Sequence, residues 1–267
     1  MELRLGRKKR EPYVELAGVI GPAHDYNVYR MLLREKAVGY LLGFAAGLVG
    51  MQIMFGELIA SILLGAVIGF FTVPLYRNYL HKKQKRLLLL QFRDLLDSLS
   101  NSFSSGKHYN GAFADALKDL RTSYGEDGMI TKEIADINSG LASSFNIEEL
   151  LENMALRCGL SDVRSFVDTF IACREAGSDL RKVVKDARDI INDKIEIEME
   201  IQTTLTSNKN EINILSLMPF VIVSMMGMIG EAAITDNSPL NIIVKLIALS
   251  LFAVSYALGR KITDIKV

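Results

Sequence analysis

The chain has no tryptophan, three histidines, two cysteines, five prolines and no excess charge of either sign, with 31 Lys+Arg against 31 Asp+Glu. Each shortage removes a class of protein. Two cysteines cannot build a disulfide framework or a four-thiolate zinc site. Zero net charge argues against a nucleic-acid binder, which carries a basic excess or stripe, so no nucleic acid is expected as a partner. His24, His81 and His108 are scattered, and none has a second His or Cys at ligand spacing. No metal centre is therefore expected. No phosphate-binding loop and no nucleophile elbow occur, so no catalytic residue and no cofactor site are expected. If ATP drives this protein, another chain hydrolyses it. Collagen-like, rod-like and disordered compositions are excluded as well.

What is present is a segregated chain. A mean hydropathy of +0.21 beside 23% charged residues requires that apolar and charged residues occupy different segments. Four runs of about 19 residues carry the apolar ones: 37–55 (AVGYLLGFAAGLVGMQIMF), 58–76 (LIASILLGAVIGFFTVPLY), 212–230 (INILSLMPFVIVSMMGMIG) and 240–258 (LNIIVKLIALSLFAVSYAL). As helices each spans about 28 Å, close to the roughly 30 Å of bilayer hydrocarbon. The expected fold is all-α, with four transmembrane helices in two hairpins flanking a cytoplasmic helical bundle. The first run begins only after a polar segment, too late and too long for a cleaved signal peptide, and none is expected.

The flanking charges set an orientation. Arg4, Arg7, Lys8, Lys9, Arg10, Arg30, Arg34 and Lys36 precede the first run. Arg77 and the cluster Lys82, Lys83, Lys85 and Arg86 follow the second, and Arg260, Lys261 and Lys266 follow the fourth. The hairpin tips hold only Glu57 in one case, and Glu231 and Asp236 in the other. The positive-inside rule then puts both termini and everything between the hairpins in the cytoplasm of a multi-pass cell-membrane protein. The expected segments are an N-terminal stretch (1–36), a first hairpin (37–76), a cytoplasmic domain (77–211), a second hairpin (212–258) and a tail (259–267).

Residues 77–211 contain no proline, which favours helices, and their apolar residues fall at helical spacing. Leu88, Phe92, Leu95, Leu96, Leu99 and Phe103 form one row; Ile134, Ile137 and Leu141 form another. Leu150, Leu151, Met154, Ala155 and Cys158 follow, then Phe166, Val167, Phe170, Ile171 and Cys173. A last row runs through Leu180, Val183, Val184, Ala187, Ile190 and Ile191. Ser105-Gly106, Ser139-Gly140 and Ala176-Gly177 are expected to stop helices, with new ones beginning near Gly111, Ile147 and Leu180. This reads as helical hairpins packed into a bundle. Residues 195–201 (IEIEMEI) alternate like a strand, but Glu and Met are good helix formers and no partner strand is visible, so helix is expected.

Cys158 and Cys173, on apolar helical faces, read as reduced core thiols rather than a redox pair. In the first run Gly39, Gly43 and Gly47 recur every fourth residue, and in the second Ser61, Gly65 and Gly69 do. Small residues at that spacing make a flat stripe that another helix can approach closely. Packing within the hairpin and contact with a partner subunit both fit. Pro219 is expected to kink the third run. Lys245 can snorkel to the interface, and the basic cluster at 82–86 reads as a topogenic, lipid-facing charge run. Docking of an acidic partner on that cluster is the sharper alternative.

Phe92-Arg-Asp-Leu-Leu-Asp-Ser-Leu-Ser100, the Ser-Ser-Gly at 104–106, Ala112-Phe-Ala-Asp-Ala-Leu117, Phe170-Ile-Ala-Cys-Arg-Glu-Ala-Gly177 and Asp179-Leu-Arg-Lys-Val-Val184 carry a resemblance. In order and topology, across roughly residues 80–260, the chain resembles the F-domain family of type II secretion systems. Among its branches it looks most like the inner-membrane platform proteins of the tight-adherence pilus. The GKHYNG linker at 106–111 departs from the usual pattern. The resemblance implies a non-enzymatic platform that binds a cytoplasmic secretion ATPase and couples it to pilin-like subunits drawn from membrane lipid. A second platform protein, or a second copy of this one, would assemble with it. A small transporter or channel, and a membrane scaffold of the same fold in another process, are the rival expectations.

Overall fold

A computed structural model describes residues 16–229 and single helical positions at 243, 247, 250, 251, 254 and 258. The outer loop expected at 231–239 and most of the fourth apolar run lie outside the described residues. Seven helices and no strand make up the described chain: α1 (Leu33–Phe55), α2 (Leu58–Ser104), α3 (Tyr109–Tyr124), α4 (Met129–Ala142), α5 (Ile147–Cys158), α6 (Ser161–Glu175) and α7 (Leu180–Ile229). They divide into two compact units, one made of the residues up to Tyr29 with His81–Asn192, the other of Arg30–Leu80 with the residues from Asp193 onward.

In the second unit, α1 and the apolar half of α2 are joined by Gly56 and Glu57, with Gly56 closing α1 through its N–H to the Gln52 carbonyl. Both helices are long and apolar enough to cross a membrane. Their outward faces are apolar too, with Leu41, Leu63, Phe70 and Leu75 each more than 60% exposed. A helix designed for water would place charge there.

The first unit has an ordinary buried core. α2 contributes Leu88, Phe92, Leu95, Leu96, Leu99 and Phe103, all buried, on one 3.6-residue face. Around them α3 packs on α4, α4 on α5 and α5 on α6. Phe92, Phe113, Phe166 and Phe170 meet edge-on or tilted at centroid distances of 5.6–6.4 Å, the geometry their quadrupoles favour. A polar seam runs beside this core, where α2 meets α3. Ser98 donates to Asp119 at 2.5 Å and Ser102 to Asp115 at 3.2 Å, while Tyr124 donates to Asp94.

Most of the expected helix boundaries are found. α2 stops just before Ser105-Gly106 and α6 just before Ala176-Gly177, while α5 begins at Ile147 and α7 at Leu180. Residues 195–201 are helical, inside α7. One stop is different. α4 runs through Gly140 to Ala142, and Ser144 takes the left-handed position at φ 66°. Gly140 instead allows close packing, since a Cβ there would come within 2.7 Å of both Leu150 methyls and 2.8 Å of Ile20. α2 and α7 each run unbroken for 47 and 50 residues, through Pro74 and Pro219 respectively. Proline is tolerated in apolar helices because neighbouring groups satisfy the freed carbonyl.

Candidate functional site

The small residues of the hairpin meet one another. A Cβ on Gly39 would lie 2.9 Å from the Tyr76 ring, one on Gly43 2.6 Å from Thr72 Cβ and 3.0 Å from Gly69 Cα, and one on Gly47 3.0 Å from Gly65 Cα. From the other side, a Cβ on Gly65 would lie 3.1 Å from the Leu48 amide and one on Gly69 3.0 Å from Tyr40. Ser61, one turn before Gly65, is fully buried and donates to the Glu57 carbonyl at 2.7 Å. The two helix backbones therefore approach along a seam where the glycine positions leave no room for a Cβ.

The basic cluster separates into two parts. Lys82 and Lys83 are exposed, whereas Lys85 and Arg86 are half-buried. Lys85 Nζ turns inward to donate to Asn27 Oδ1 at 2.9 Å and to the Cys158 carbonyl. Burial there lowers its pKa, because the charged form loses solvation.

Lys85 is one fastening of a feature the sequence did not announce. Residues 16–29, ahead of α1, form a strap laid across α4 and α5. Tyr26, 2% exposed, is its anchor: its N–H donates to the Arg157 carbonyl at 3.0 Å and its hydroxyl to the Met129 carbonyl at 3.2 Å. His81 Nε2 lies 3.1 Å from the Tyr26 carbonyl, and Asn27 Nδ2 donates to the Leu156 carbonyl at 2.8 Å. His24 stacks edge-on against Tyr26 at 4.8 Å. Gly159, just past α5, has φ +55° and sits where a Cβ would strike Asn27 and come 2.8 Å from Lys85 Nζ. Only glycine meets both demands.

Beneath the strap lies a buried ion pair. Glu133 of α4 and Arg157 of α5 are 2% and 3% exposed. Arg157 is bidentate, with Nη1 to Oε1 at 2.6 Å and Nη2 to Oε2 at 2.5 Å. Its Nε donates to Asn153 Oδ1 at 2.7 Å and Nη1 also reaches the His24 carbonyl at 3.2 Å. Burial pushes the Glu133 carboxyl above its ordinary pKa, and the Arg157 guanidinium pulls it back. The Tyr26 hydroxyl and the Cys158 thiol are both pushed up, first by burial and then by the Glu133 charge. Cys158 and Cys173 are free and buried, so Cys158 in particular holds its proton and is a poor nucleophile. A sequence signal for the pair did exist. Glu133 lies between the inward Ile130, Ile134 and Ile137, and Arg157 continues the row of Leu150 and Met154. One charge of each sign on the inward faces of neighbouring helices signals a buried pair.

Two recesses flank these elements. One of about 230 Å³ lies between the front of the strap and α4–α5. The other, about 400 Å³, opens between the α2–α3 and α6–α7 loops, where Lys107, His108, Arg174 and Arg181 gather. Charge there is balanced: Lys107 pairs with Asp115, Arg174 with Glu148, and Arg181 with Asp179. The Arg174 guanidinium also lies 5.2 Å above the Tyr109 ring. Among the described residues no three His, Cys, Asp or Glu side chains gather as a metal site. His81 faces the strap and His108 packs on Tyr109 at 4.0 Å.

The described residues define an all-helical protein with two helices long and apolar enough to cross a membrane. The particular family follows from comparison: the model for the type II secretion system protein F matches residues 93–228, about half of the chain, and the chain belongs to that family. Its members are platform proteins of the inner membrane that work in a secretion machinery with an ATPase and other platform components. No curated protein and no solved structure matches the chain.

Proposed function

We propose that this chain is a non-enzymatic inner-membrane platform of a pilus-type assembly machine, closest in kind to the tight-adherence pilus platforms. It crosses the membrane four times, with both termini and residues 77–211 in the cytoplasm. A cytoplasmic secretion ATPase acts on the bundle, and pilin-like subunits are handed from the lipid phase to the growing filament. A second platform protein, or a second copy of this one, completes the assembly. The exposed Lys82 and Lys83 sit against anionic lipid headgroups.

The observation that carries the reading, beyond family membership, is the continuity of α2 and α7. Each holds core residues at one end (Leu88–Phe103 rows in α2, Val184 and Ile191 in α7) and an apolar run at the other. In this reading force on the bundle passes to the apolar runs along α2 and α7. The glycine seam then serves to hold the first hairpin rigid under that load. This is what a transmission element needs.

Topology is the first test. Lys118→Cys, on an exposed position of α3, is expected to react with an impermeant thiol reagent only after cells are permeabilised, and Asp236→Cys in intact cells. The two native thiols are buried and give little background. Labelling at 118 and not at 236 in intact cells refutes the orientation. Loss of co-purification with a cytoplasmic secretion ATPase when α7 is interrupted by a Gly-Gly insertion is not expected; loss of filaments is. Filaments of normal number in that variant refute the coupling role of α7.

A further inference from the structure

The strap is fastened unevenly. Its rear part, residues 24–27, holds the buried Asp25 and Tyr26, 6% and 2% exposed, and is tied down by Arg157, His81, Lys85 and the Leu156 and Met129 carbonyls. The front part, residues 16–22, is different. Leu16 and Ile20 are 36% and 44% exposed, and Gly21 and Pro22 are exposed as well. Among the described residues one hydrogen bond joins it to the bundle, from Asn153 Nδ2 to the Ala17 carbonyl at 3.0 Å. Leu16 is otherwise held by the strap itself, its N–H donating to Asp25 Oδ2 at 3.0 Å. Between Gly18–Pro22 and the helices lies the unfilled recess of about 230 Å³, floored by Ile137 and Leu150 and edged by Asp136, Ser139, Asn153 and Arg157. A segment with one fastening and space beneath it opens locally at far lower free energy than its buried anchor.

From this we infer that residues 16–22 are a displaceable ligand in cis, and that the α4–α5 groove beneath them is a docking site for an uncharged peptide segment bent as the strap is at 19–21. The strap itself defines the chemistry of the occupant. A backbone carbonyl is bound by the Asn153 amide. A β-branched aliphatic side chain sits over Gly140, where the absence of a Cβ lets Ile20 reach the helix backbone. Val19 precedes it and Gly21 follows, and none of residues 16–22 carries a charge. Tyr26 stays in place as the pivot, so the groove exchanges its own strap for an incoming segment while the rest of the bundle is unchanged. Peptide recognition through main-chain groups with one side-chain pocket is a common mode of regulated docking. The inference rests on the strap alone and stands apart from the platform reading.

The test uses the full chain in detergent with Val19→Cys, a half-buried position lining the recess, as reporter of opening, and Lys118→Cys as the exposed reference. Asn153→Asp removes the donor to Ala17 but keeps an acceptor for Arg157 Nε. Reaction with a maleimide is expected to be slower at 19 than at 118. Asn153→Asp is expected to speed it about five-fold, the factor for one lost hydrogen bond. A synthetic peptide of residues 16–23 (LAGVIGPA) added in trans is expected to speed it saturably, and a scrambled peptide to leave it unchanged. Labelling at 19 as fast as at 118 in the parent overturns the closed strap. A rate unmoved by Asn153→Asp overturns Asn153 as the fastening, and a rate unmoved by the peptide overturns the docking site.

Discussion

Replacing Arg157 with alanine tests the ion pair under the strap most directly. The substitution deletes two bonds to Glu133, one to Asn153 and one to the His24 carbonyl. Glu133 is then left 2% exposed without its countercharge. Removing one member of a buried pair costs about 3–5 kcal/mol, because the remaining charge has lost water and gained nothing. The pH dependence carries a sign that a cavity alone would not produce. Burial already raises the Glu133 pKa and Arg157 opposes that rise, so losing Arg157 raises it further. A carboxyl whose folded pKa lies above its unfolded value costs the fold nothing below the unfolded pKa, and the cost grows until the pH has risen through the folded pKa. The stability lost by Arg157→Ala is therefore expected to be largest above the raised pKa of Glu133 and to shrink as acid takes the pH down toward the ordinary carboxylate range. Thermal melting of the detergent-solubilised chain by far-ultraviolet circular dichroism, with limited proteolysis of the bundle, measures both. Glu133→Leu with Arg157→Leu is expected to stay within about 2 kcal/mol of the parent, since a packed apolar pair avoids the uncompensated charge. A single-variant loss below about 1 kcal/mol, or one that does not fall with acidification, refutes the reasoning.

Gly43→Leu is expected to lower the membrane abundance of the protein and its filament yield, because overpacking against Thr72 and Gly69 costs about 1–3 kcal/mol; Leu41→Ala, at a position 61% exposed, is expected to change neither. Gly159→Ala is expected to cost more in melting temperature than Gly106→Ala: both have positive φ, worth about 1–2 kcal/mol to a side chain, but open space surrounds Gly106 and the strap fills that at Gly159. Equal losses would mean Asn27 and Lys85 simply move aside. Purified protein free of other ATPases is expected to release no phosphate from ATP above background, and turnover that co-migrates with this chain would overturn the non-enzymatic reading.

The helical bundle is legible in the chain because its signal is local. Rows such as Leu88, Phe92, Leu95, Leu99 and Leu150, Leu151, Met154, Cys158 are spaced for one helix face, and each is buried. Helix stops are legible where a glycine does no other work, as after α2 and α6. At Gly140 the same residue type lies inside the helix, and its role is the close approach of Leu150 and Ile20. A stop and a packing notch look alike in sequence, because both need only the missing Cβ. The small-residue stripes show the same division. Their four-residue spacing can be read from the chain, but which helix they meet depends on the partner backbone.

The amino-acid sequence by itself determined the helices, their apolar faces and the family, since hydrophobic periodicity and residue order act over a few turns of one element. Only the tertiary structure decided the strap and its fastening. Arg157 and Asn153 reach the carbonyls of His24 and Ala17, more than 130 residues away. Every residue carries a carbonyl, so no side-chain pattern advertises which one will be bound. The donors exist only where α4 packs on α5 and Arg157 is held against Glu133, with Nη1 still bonding the His24 carbonyl. The carbonyls they bind belong to residues 16–29, a stretch of small, aliphatic and aromatic side chains with no pattern that marks it as a strap.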